Sequence, residues 1–535
     1  MMKIVCVVDK VGTALDRLAK GVEPYHTNIE YVVCDVHPKR PDQEQLRRFE
    51  KEALDADIID AQYYRSLYKL RELFPWLKDK KTILTHNNPY AIEEQAWNDV
   101  DLNVGNNNYI TKRLGEITEK PVEYVPLTVD TEFWQYNNDY EANNNVIMVA
   151  NRIESKKGIL PVAIACAELN LHFILVGAIS DQQYFESIMA TTGNVEFHEQ
   201  VSDEKLRELY YKSAIHVCNS VDNFESGTMP ILEAMLCGVP VLTRSVGHVP
   251  DLYNGENLTI LDHKNDDVVK IQDALQSMLI DKKALQEQRE KAWQTAKARS
   301  FERRAYMYQK LYRQTLYPDQ TPVSVVVPVY DKPEIIRKCL NAIANQTHKN
   351  IEIIVCDDSF NQSNLELVRD FAQYTNIPIR YIDSTLHGNS NGQTIIFDDY
   401  GLARARNEAT IEATGEVIVY CDQRMIMQED AIEEFLKRIS SRIWLFGNKG
   451  GKKDFVENFS CVMRDRVIQA GMFCERITAY GGMSEELRKR INKQGIKTEY
   501  VETAKATPTG KSSNRNRKRQ EIIRMKNRCW KMFEA

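Results

Sequence analysis

Short apolar runs alternate with longer amphipathic stretches over the first 130 residues of the chain. Each run is too short for a helix, and a stretch with helical spacing follows it. This alternation predicts a small doubly wound sheet that carries its helices on both faces. The predicted strands are residues 3–9, 29–35, 56–62, 82–86, 102–105 and 122–126.

The same alternation resumes after an asparagine-rich stretch at residues 136–145. Low-complexity asparagine is typical of segments that do not pack into a core, so we interpret this stretch as a hinge. The pattern therefore predicts one domain at residues 1–140 and a second at 141–318. The strands predicted for the second domain are residues 146–152, 171–177, 215–219 and 239–243, and a charged helical span follows at 282–317.

A proline-bounded linker at residues 318–322 separates these two domains from a third α/β pattern. The third domain is predicted at residues 322–505, and a basic tail at 506–535. Its predicted elements are strands at 323–330, 351–356 and 416–421 and a helix at 334–346.

Composition adds limits to this picture. The chain has 535 residues, of which 43% are hydrophobic and 27% charged, values typical of globular proteins. A net charge of −6 implies no general attraction to nucleic acid. The eleven cysteines contain no CxxC pair and several lie in apolar runs, which predicts reduced core residues in a cytoplasmic protein. No apolar run approaches a membrane span, so any membrane contact is expected to be peripheral, at the inner membrane surface.

Two carboxylates flank the beginning of a predicted helix near residue 231. Glu225 lies on a loop, Gly227 and Thr228 form a turn, and Glu233 lies further along the helix. A helix N-terminus presents free backbone N–H groups, which suit a phosphate. Ionised carboxylates only accept hydrogen bonds, which suits the hydroxyls of a sugar or ribose. The alternative is a surface helix with two ordinary acids.

Two cations upstream favour the first interpretation. Arg152 ends a predicted buried strand, and Lys157 with Gly158 begins the next helical stretch. An Arg fork and a Lys point charge are the usual pair for a diphosphate.

Together these stretches resemble the family 4 glycosyltransferases, whose pattern is an Arg, a Lys-Gly pair and two Glu separated by seven residues. The resemblance covers roughly residues 1–318 and implies the GT-B fold, in which two Rossmann-like halves face each other and the last helix returns to the first half. It implies that Arg152 and Lys157 hold the diphosphate of a nucleotide sugar. It also implies that Glu233 holds the ribose and Glu225 the donor sugar, with no cofactor in this module.

Two residues of the first domain join this prediction through the same resemblance. The loop at Gly12 is expected near donor and acceptor, although a plain turn is an alternative. His86 ends a strand and is expected to contact donor sugar or acceptor, or else to cap local backbone. The family usually has Gly where Ser226 and Thr228 stand, so the loop around Gly227 is expected to be stiffer, or the donor unusual.

The third domain resembles the family 2 glycosyltransferases of GT-A fold over residues 322–505. The opening strand, an acidic pair, an Ala-Arg-Asn sequence and a Gly-Met-Phe-Cys-Glu segment carry the resemblance. It implies that Tyr330, Asp357 and Asp358 hold the base and ribose, and that Arg406 belongs to the donor site. The expected fold is a doubly wound mixed sheet, and the alternative for the acidic pair is a helix cap or turn.

Asp422 falls on the first acid of the family's metal-binding Asp-x-Asp, but the second acid is replaced by Arg424. Three hypotheses follow. The guanidinium takes the place of Mg²⁺ or Mn²⁺ on the diphosphate, or Asp422 alone still holds the cation, or the module has lost its activity.

The catalytic base of the third domain has no clear position in the sequence. The family pattern puts a Glu-Asp pair where Met483 and Ser484 stand, and sliding the register offers Glu485 with Glu486 beside it. We predict Glu485 as the base, with a solvated helix face as the alternative.

The tail is strongly basic. Residues 511–531 carry nine Lys and Arg against one Glu, with apolar residues at helical spacing. This pattern is typical of a membrane-surface anchor, of a nucleic-acid contact, or of a terminal helix packed on its own domain.

The sequence therefore predicts a bifunctional glycosyltransferase that uses nucleotide sugars to extend a glycan, either free or lipid-linked. By resemblance, the first module is expected to retain and the second to invert the anomeric configuration. The alternatives are glycosylation of a modified nucleic-acid base, and a second module that only binds.

Overall fold

The computed structural model describes residues 1–509 apart from a few short gaps. The gaps are residues 27, 90–91, 95–97, 142, 192–193, 222–226, 263, 265, 331, 360–362, 385, 389–393, 397–400, 452 and 478–481. The predicted loop residue Glu225 and the basic run 511–531 lie outside the described residues.

The first domain is a six-stranded parallel sheet in the order β2-β1-β3-β4-β5-β6. Its direction of winding changes between β1 and β3. Three short 3-10 turns complete it, at Glu23–Tyr25, Pro75–Asp79 and Ile92–Glu94. Its elements are β1 (Met2–Val8), α1 (Ala14–Val22), β2 (Ile29–Asp35), α2 (Gln43–Ala53), β3 (Ile58–Ala61), α3 (Tyr64–Leu73), β4 (Lys81–His86), β5 (Leu102–Gly105), α4 (Asn108–Ile117) and β6 (Val122–Tyr124).

The second domain is another six-stranded parallel sheet, in the order β12-β11-β10-β7-β8-β9. This is the order of a classical dinucleotide-binding sheet, with the change of winding between β7 and β10. Its elements are β7 (Asn145–Ile153), α5 (Ile159–Glu168), β8 (His172–Ile179), α6 (Gln182–Met189), β9 (Val195–His198), α7 (Asp203–Tyr211), β10 (Ile215–Cys218), α8 (Met229–Leu236), β11 (Val241–Arg244), α9 (Val249–Leu252), β12 (Thr259–Leu261), α10 (Val268–Ile280) and α11 (Lys282–Lys297).

Helix α12 (Phe301–Leu316) returns to the first domain, as the resemblance implied. Tyr308 and Tyr312 are buried in the same core as β1. The Tyr312 hydroxyl donates to Asp60 at 2.8 Å, and the Tyr308 hydroxyl lies 2.6 Å from Thr85 Oγ1. Residues four apart share one helix face, so these contacts fix α12 to the ends of β3 and β4.

The third domain is built on an eight-stranded mixed sheet in the order β15-β14-β13-β18-β21-β20-β22-β19. Its winding changes between β13 and β18. A two-stranded ribbon of β16 and β17 stands apart. Its elements are β13 (Val323–Val329), α13 (Pro333–Ala344), β14 (Ile351–Asp357), α14 (Ser363–Ala372), β15 (Ile379–Asp383), β16 (Leu386–Gly388), β17 (Thr394–Ile396), α15 (Leu402–Glu412), β18 (Val417–Cys421), β19 (Met425–Met427), α16 (Ala431–Leu436), β20 (Ile443–Asn448), β21 (Phe459–Met463), α17 (Arg464–Gln469), α18 (Met483–Lys493) and β22 (Lys497–Pro508).

The central strands explain the continuous apolar runs of the sequence. Every residue of β1, β13 and β14 is buried, because helices cover both faces of each sheet. Strand β22 runs three residues past the predicted end of the third domain and pairs with β19. The ten cysteines in the described part of the chain are all buried.

Candidate functional site

The second domain has a natural ligand crevice where its winding changes. Ligands of open α/β sheets bind outside the carboxyl ends of the strands at this point. The segments that follow β7 and β10 meet there. The Val221 N–H donates to the Lys156 carbonyl at 2.9 Å, and the Asn219 amide donates to the Gly158 carbonyl at 2.9 Å. The fold thus joins the predicted Lys-Gly turn to the segment that leads toward Glu225.

Gly158 is the residue that permits this close approach. Its φ of 63° lies in the left-handed region, and a Cβ there would stand 2.3 Å from the Asn219 carbonyl oxygen. Lys157 beside it is only 9% exposed and ends a 3-10 turn at Ser155–Lys157. Asn219 is buried at the end of β10 and was missed in the sequence, although a polar residue after a buried strand is a recognisable signal.

Arg152 lies near the end of β7, beyond a shift in the β7–β8 register. Its side chain is 61% exposed and pairs with Glu154 at 3.3 Å. An exposed guanidinium at a strand end is accessible to an anion, and the pair with Glu154 is weak because solvent screens it.

Glu233 is a buried carboxylate in the second turn of α8, with 6% exposure. It accepts a hydrogen bond from the Tyr210 hydroxyl at 3.2 Å. Burial raises the pKa of the Glu233 carboxyl to about 7, and the charge of Asp203 adds to the rise. Further hydroxyl donors would favour its ionised form, which only accepts hydrogen bonds.

Gly227 and Thr228 lie at the beginning of α8, where Thr228 is the N-cap residue. A Cβ on Gly227 would stand 2.0 Å from Leu127 and 2.9 Å from His248 Nδ1. Among the described residues, neither ring nitrogen of His248 has a hydrogen-bond partner, and the buried hydroxyls of Thr128 and Thr228 have none. Buried polar groups without partners need an explanation, and a ligand at the crevice would supply one. Sequence reasoning missed His248 as a site residue.

The first-domain residues lie close to backbone or to a neighbouring strand. Gly12 has a φ of 81°, and its N–H donates to Asp16 at 2.7 Å. His86 is 1% exposed and bonds Asn103 Oδ1 through Nε2 at 2.8 Å. Their proposed contacts with donor and acceptor stay predictions.

The third domain has its own crevice between β13 and β18. Tyr330 directly follows β13 and is 44% exposed. Its N–H donates to Gln423 Oε1 at 2.8 Å, and the Gln423 amide donates back to the Tyr330 carbonyl at 3.1 Å. Gln423 lies between Asp422 and Arg424, so this reciprocal pair ties the two strand ends together.

The acidic pair of the third domain is already hydrogen-bonded. Asp357 accepts from the Ser359 N–H at 2.8 Å, from Asn364 at 2.9 Å and from the Tyr381 hydroxyl at 2.6 Å. Asp358 accepts from the Gly401 N–H at 2.6 Å. Its other oxygen pairs with Arg404 at 3.1 Å. The pair thus shapes the crevice wall, and its predicted contact with base and ribose stays a prediction.

Asp422 is surrounded by cations. The nearest guanidinium nitrogen of Arg424 lies 3.4 Å from it, and that of Arg406 lies 3.9 Å away. Arg406 is 1% exposed and also pairs with buried Glu457. Lys449 donates to Asn458 Oδ1 at 2.8 Å, and Asn458 accepts from the Asp422 N–H through its carbonyl.

Lys449 and Glu457 were missed in the sequence, although Lys449 directly follows a strand that ends in the crevice. Burial lowers the pKa of Lys449 to about 8, while the charges of Glu457 and Asp422 oppose the change. Burial raises the pKa of Glu457, but the charge of Arg406 and the hydrogen bonds to Glu457 together outweigh burial and leave that pKa below its usual range.

These residues do not fit a divalent cation. In the part of the chain that the structure describes, no three His, Cys, Asp or Glu residues cluster as a metal site. A cation at Asp422 would meet two fixed guanidinium groups. Two like unit charges 4 Å apart repel by about 4 kcal/mol at an effective dielectric constant near 20, and a divalent ion meets twice that.

The predicted base, Glu485, is exposed in the first turn of α18 and lies 3.7 Å from Lys489. Its neighbours Met483 and Ser484 reach the Arg406–Glu457 pair instead. Arg406 contacts the Met483 sulfur at 3.4 Å, and Ser484 hydrogen-bonds to Glu457. The role of Glu485 stays a prediction.

Comparison with known protein families gives two matches on this chain. Residues 130–298 match the model described as glycosyl transferases group 1. Residues 324–443 match the model described as glycosyl transferase family 2. The first segment contains Arg152, Lys157 and Glu233, and the second contains Tyr330, Asp422 and Arg424.

Individual relatives match shorter parts. Glycosyltransferase GlyA of Streptococcus pneumoniae is 30% identical over 117 residues, which are 22% of this chain and 15% of that protein. Glycosyltransferase GlyG of the same organism is 31% identical over 120 residues, 22% of this chain and 36% of that protein. Hyaluronan synthase of Pasteurella multocida is 30% identical over 138 residues, 25% of this chain and 13% of that protein. The chain thus spans only a minor part of these relatives.

Among solved structures, sucrose-phosphate synthase of Thermosynechococcus elongatus superimposes with a TM-score of 0.50 at 16% identity. The match covers 59% of this chain and all of that chain. Such a likeness supports the fold alone. The chain therefore carries two glycosyltransferase domains in tandem, a GT-B-type module followed by a family 2 module with a GT-A-like mixed sheet. No helix among the described residues is long and apolar enough to span a membrane.

Proposed function

We propose that this protein is a bifunctional glycosyltransferase that takes two sugars from nucleotide-sugar donors and adds them to a growing glycan. One observation carries the proposal. Each module has a crevice at the carboxyl ends of its strands, where its winding changes, and each crevice presents cationic side chains. A nucleotide sugar needs cations for its diphosphate at such a point.

In the GT-B module, Arg152 and Lys157 would bind the donor diphosphate and stabilise the charge that develops on it when the sugar leaves. Glu233 would accept from the ribose hydroxyls, and Glu225 would contact the sugar. We also propose that this module belongs to family 4 and transfers its sugar with retention of the anomeric configuration. The meeting of the Lys157–Gly158 turn with the segment after β10 supports it.

In the family 2 module, the exposed Tyr330 ring would stack on the base, and transfer would invert the configuration. The acceptor hydroxyl would lose its proton to a carboxylate, for which Glu485 is the candidate. The acceptor class is supported by the name of one relative, hyaluronan synthase, whose product is a polysaccharide. A lipid-linked glycan acceptor, held near a membrane by the basic tail, is the more specific form of the proposal.

The test is a panel of nucleotide sugars assayed with the full chain on synthetic oligosaccharide acceptors, with product configuration followed by NMR. We expect two linkages, one of each stereochemical outcome. Lys157→Ala is expected to lower kcat/KM for one linkage by about a hundredfold or more. Glu287→Gln on the exposed face of α11 is the control and should change neither linkage. If Lys157→Ala leaves both linkages intact, the proposed contact of Lys157 with the donor diphosphate is wrong.

A second candidate is a family 2 module that binds sugar nucleotides without transferring them. The exposure of Glu485 favours it, because a general base must reach the acceptor proton inside the crevice. In that case only the linkage that depends on Lys157 would form, while a nucleoside diphosphate would still bind near Tyr330.

A further inference from the structure

The turn that holds Arg424 is fixed on both sides. The Met425 N–H donates to the Asp422 carbonyl at 2.8 Å, which closes a tight turn. Gln423 is bonded to the backbone of Tyr330. The Arg424 carbonyl accepts from the Thr509 N–H at 2.7 Å and from its hydroxyl at 3.1 Å. A guanidinium on such a turn begins from a defined position, so little order is lost when it binds an anion.

The charges around this turn leave an excess of positive charge. Asp422 and Glu457 supply two negative charges, while Arg406, Arg424 and Lys449 supply three positive ones. Arg406 is buried and paired with Glu457, so these two largely neutralise each other. The Arg424 side chain is 18% exposed and lies 3.4 Å from Asp422, which follows the carboxyl end of β18. Part of the excess positive charge is therefore accessible to a ligand.

We propose that the family 2 module binds the donor diphosphate through Arg424, with Lys449 beside it, in place of a divalent metal ion. The inference rests on the proposed function of this module and deepens it. The position that the family reserves for an acid carries the opposite charge, and the neighbouring carboxylate already has two guanidinium partners. An Arg fork matches two phosphate oxygens at once, which a single Lys does not.

The chemistry balances without a metal. Transfer breaks the bond between the anomeric carbon and the diphosphate oxygen, and the electron pair stays on that oxygen. The acceptor oxygen forms the new bond to carbon, and its proton passes to a base. Arg424 and Lys449 then face the extra negative charge on the leaving diphosphate, which is the charge that a metal ion would otherwise neutralise.

The experiment measures binding directly on the full chain, in a Lys157→Ala background that weakens the GT-B site. Uridine and guanosine diphosphate and inorganic pyrophosphate are titrated by calorimetry, with chelator or with Mn²⁺, and Mn²⁺ uptake is followed by electron paramagnetic resonance. We expect affinities that agree within twofold in the two conditions, and no Mn²⁺ site at Asp422. Arg424→Asp should lower affinity in chelator at least tenfold, regain it with Mn²⁺, and acquire a Mn²⁺ site.

The variants Arg424→Lys and Arg424→Gln distinguish the two-pronged geometry of the guanidinium from its positive charge. The Lys variant should keep part of the affinity and the Gln variant should lose most of it, while unchanged thermal unfolding shows that both remain folded. If the parent binds these anions only with Mn²⁺, the inference is overturned while the proposed function stands. If neither nucleoside diphosphate nor pyrophosphate binds to this module, with chelator or with Mn²⁺, the inference and the proposed function of the module both fail.

Discussion

Glu233 is a buried carboxyl of α8 whose protonation is coupled to folding. It is buried, it has Tyr210 as a hydroxyl partner, and its pKa lies near 7 rather than near the usual 4.5. Between these two values the folded carboxyl holds its proton while the unfolded one has lost it. The folded state then binds more protons, so the free energy of unfolding falls as pH rises through this window.

Glu233→Gln is expected to remove this slope and to be more stable than the parent above pH 7, by about 3 kcal/mol at most. Urea unfolding at pH 5 and pH 8 measures it. If Glu233 accepts from ribose, uridine or guanosine diphosphate should also bind the parent more tightly as pH rises through 7, because donors favour the ionised form. The variant should lack that part of the pH dependence, and equal pH profiles would argue against the ribose contact.

Gly158 tests whether the Lys157 turn must approach β10 closely. Alanine there would be strained by the left-handed φ of 63° and would press its Cβ against the Asn219 carbonyl. We expect Gly158→Ala to cost about 2 kcal/mol or more and to weaken nucleotide binding. Gly115→Ala is the matched control, since it lies in α4 with open space around it and should be neutral or slightly stabilising. Thermal unfolding measures the stability of both variants, and nucleotide titration measures their binding. Similar losses for Gly158→Ala and Gly115→Ala would contradict the need for a close approach at Gly158.

At the scale of elements, helix α12 joins the first domain to the third. The face that carries Tyr308 and Tyr312 packs on the first domain, while Tyr306 and Lys310 face the third. The Tyr306 hydroxyl donates to Glu352 at 2.5 Å, and Lys310 Nζ lies 3.8 Å from the same carboxylate. Glu352 is 4% exposed, so this is a buried polar junction rather than a flexible linker.

Tyr306→Phe should loosen this junction, because it removes a hydrogen bond to a buried carboxylate. Such bonds are worth about 1.5–3 kcal/mol. Hydrogen-exchange mass spectrometry should find faster exchange in β13 and β14, which carry the partner residues, and little change in β7 and β10. Glu287→Gln, in an exposed pair on α11, is the control and should leave all four strands unchanged.

The junction should also weaken in acid. Burial raises the pKa of Glu352, but the charge of Lys310 and the hydrogen bonds from Ser324 and Tyr306 outweigh it, so that pKa lies below its usual range. A lowered pKa contributes stability that is fully present above the ordinary carboxyl value and is lost as pH falls through the folded value. The protection of β13 amides, relative to their intrinsic exchange rate at each pH, should therefore fall below about pH 4 in the parent. Glu352→Gln should show the faster exchange already at neutral pH, and an unchanged rate there would contradict the role of its charge.

At the scale of the whole molecule, the second crevice faces away from the junction. Ser324 and Glu352, which meet α12 and its surroundings, lie at the amino ends of β13 and β14. Tyr330 and Asp422 lie beyond the carboxyl ends of their strands. Seven residues of strand separate the two ends by about 20 Å. The second crevice therefore lies about 20 Å from the junction with α12. We expect the two donor sites to be separate, so that an acceptor leaves one site to reach the other.

This separation predicts that the two additions can be divided between molecules. A mixture of the Lys157→Ala and Arg424→Ala variants should restore the doubly extended product, because each supplies the site that the other lacks. The labelled singly extended intermediate should appear in solution. Added unlabelled acceptor should compete with it and lower the amount of labelled doubly extended product. Chromatography of the labelled glycans measures this. A parent enzyme that never releases the intermediate would contradict the separation.

The sequence by itself determined the order of the elements and the two modules. Mostly apolar runs identified the central strands, since a strand covered on both faces is buried at every position, as β1, β13 and β14 are, and has few polar residues. A strand-end position also indicated Arg152, the beginning of the next helical stretch indicated Lys157, and the family resemblance indicated Asp422 at the end of a strand in the third domain.

Only the tertiary structure decided what surrounds each of these residues. Lys449 and Glu457 are distant in sequence from Asp422, and the pairing of Glu233 with Tyr210 depends on how α7 packs against α8. The same holds for Asp357, which the fold uses to hold its own loop, and for the junction at Glu352. Periodicity records which face of an element is buried. Which charges then become neighbours depends on contacts between segments far apart in the chain.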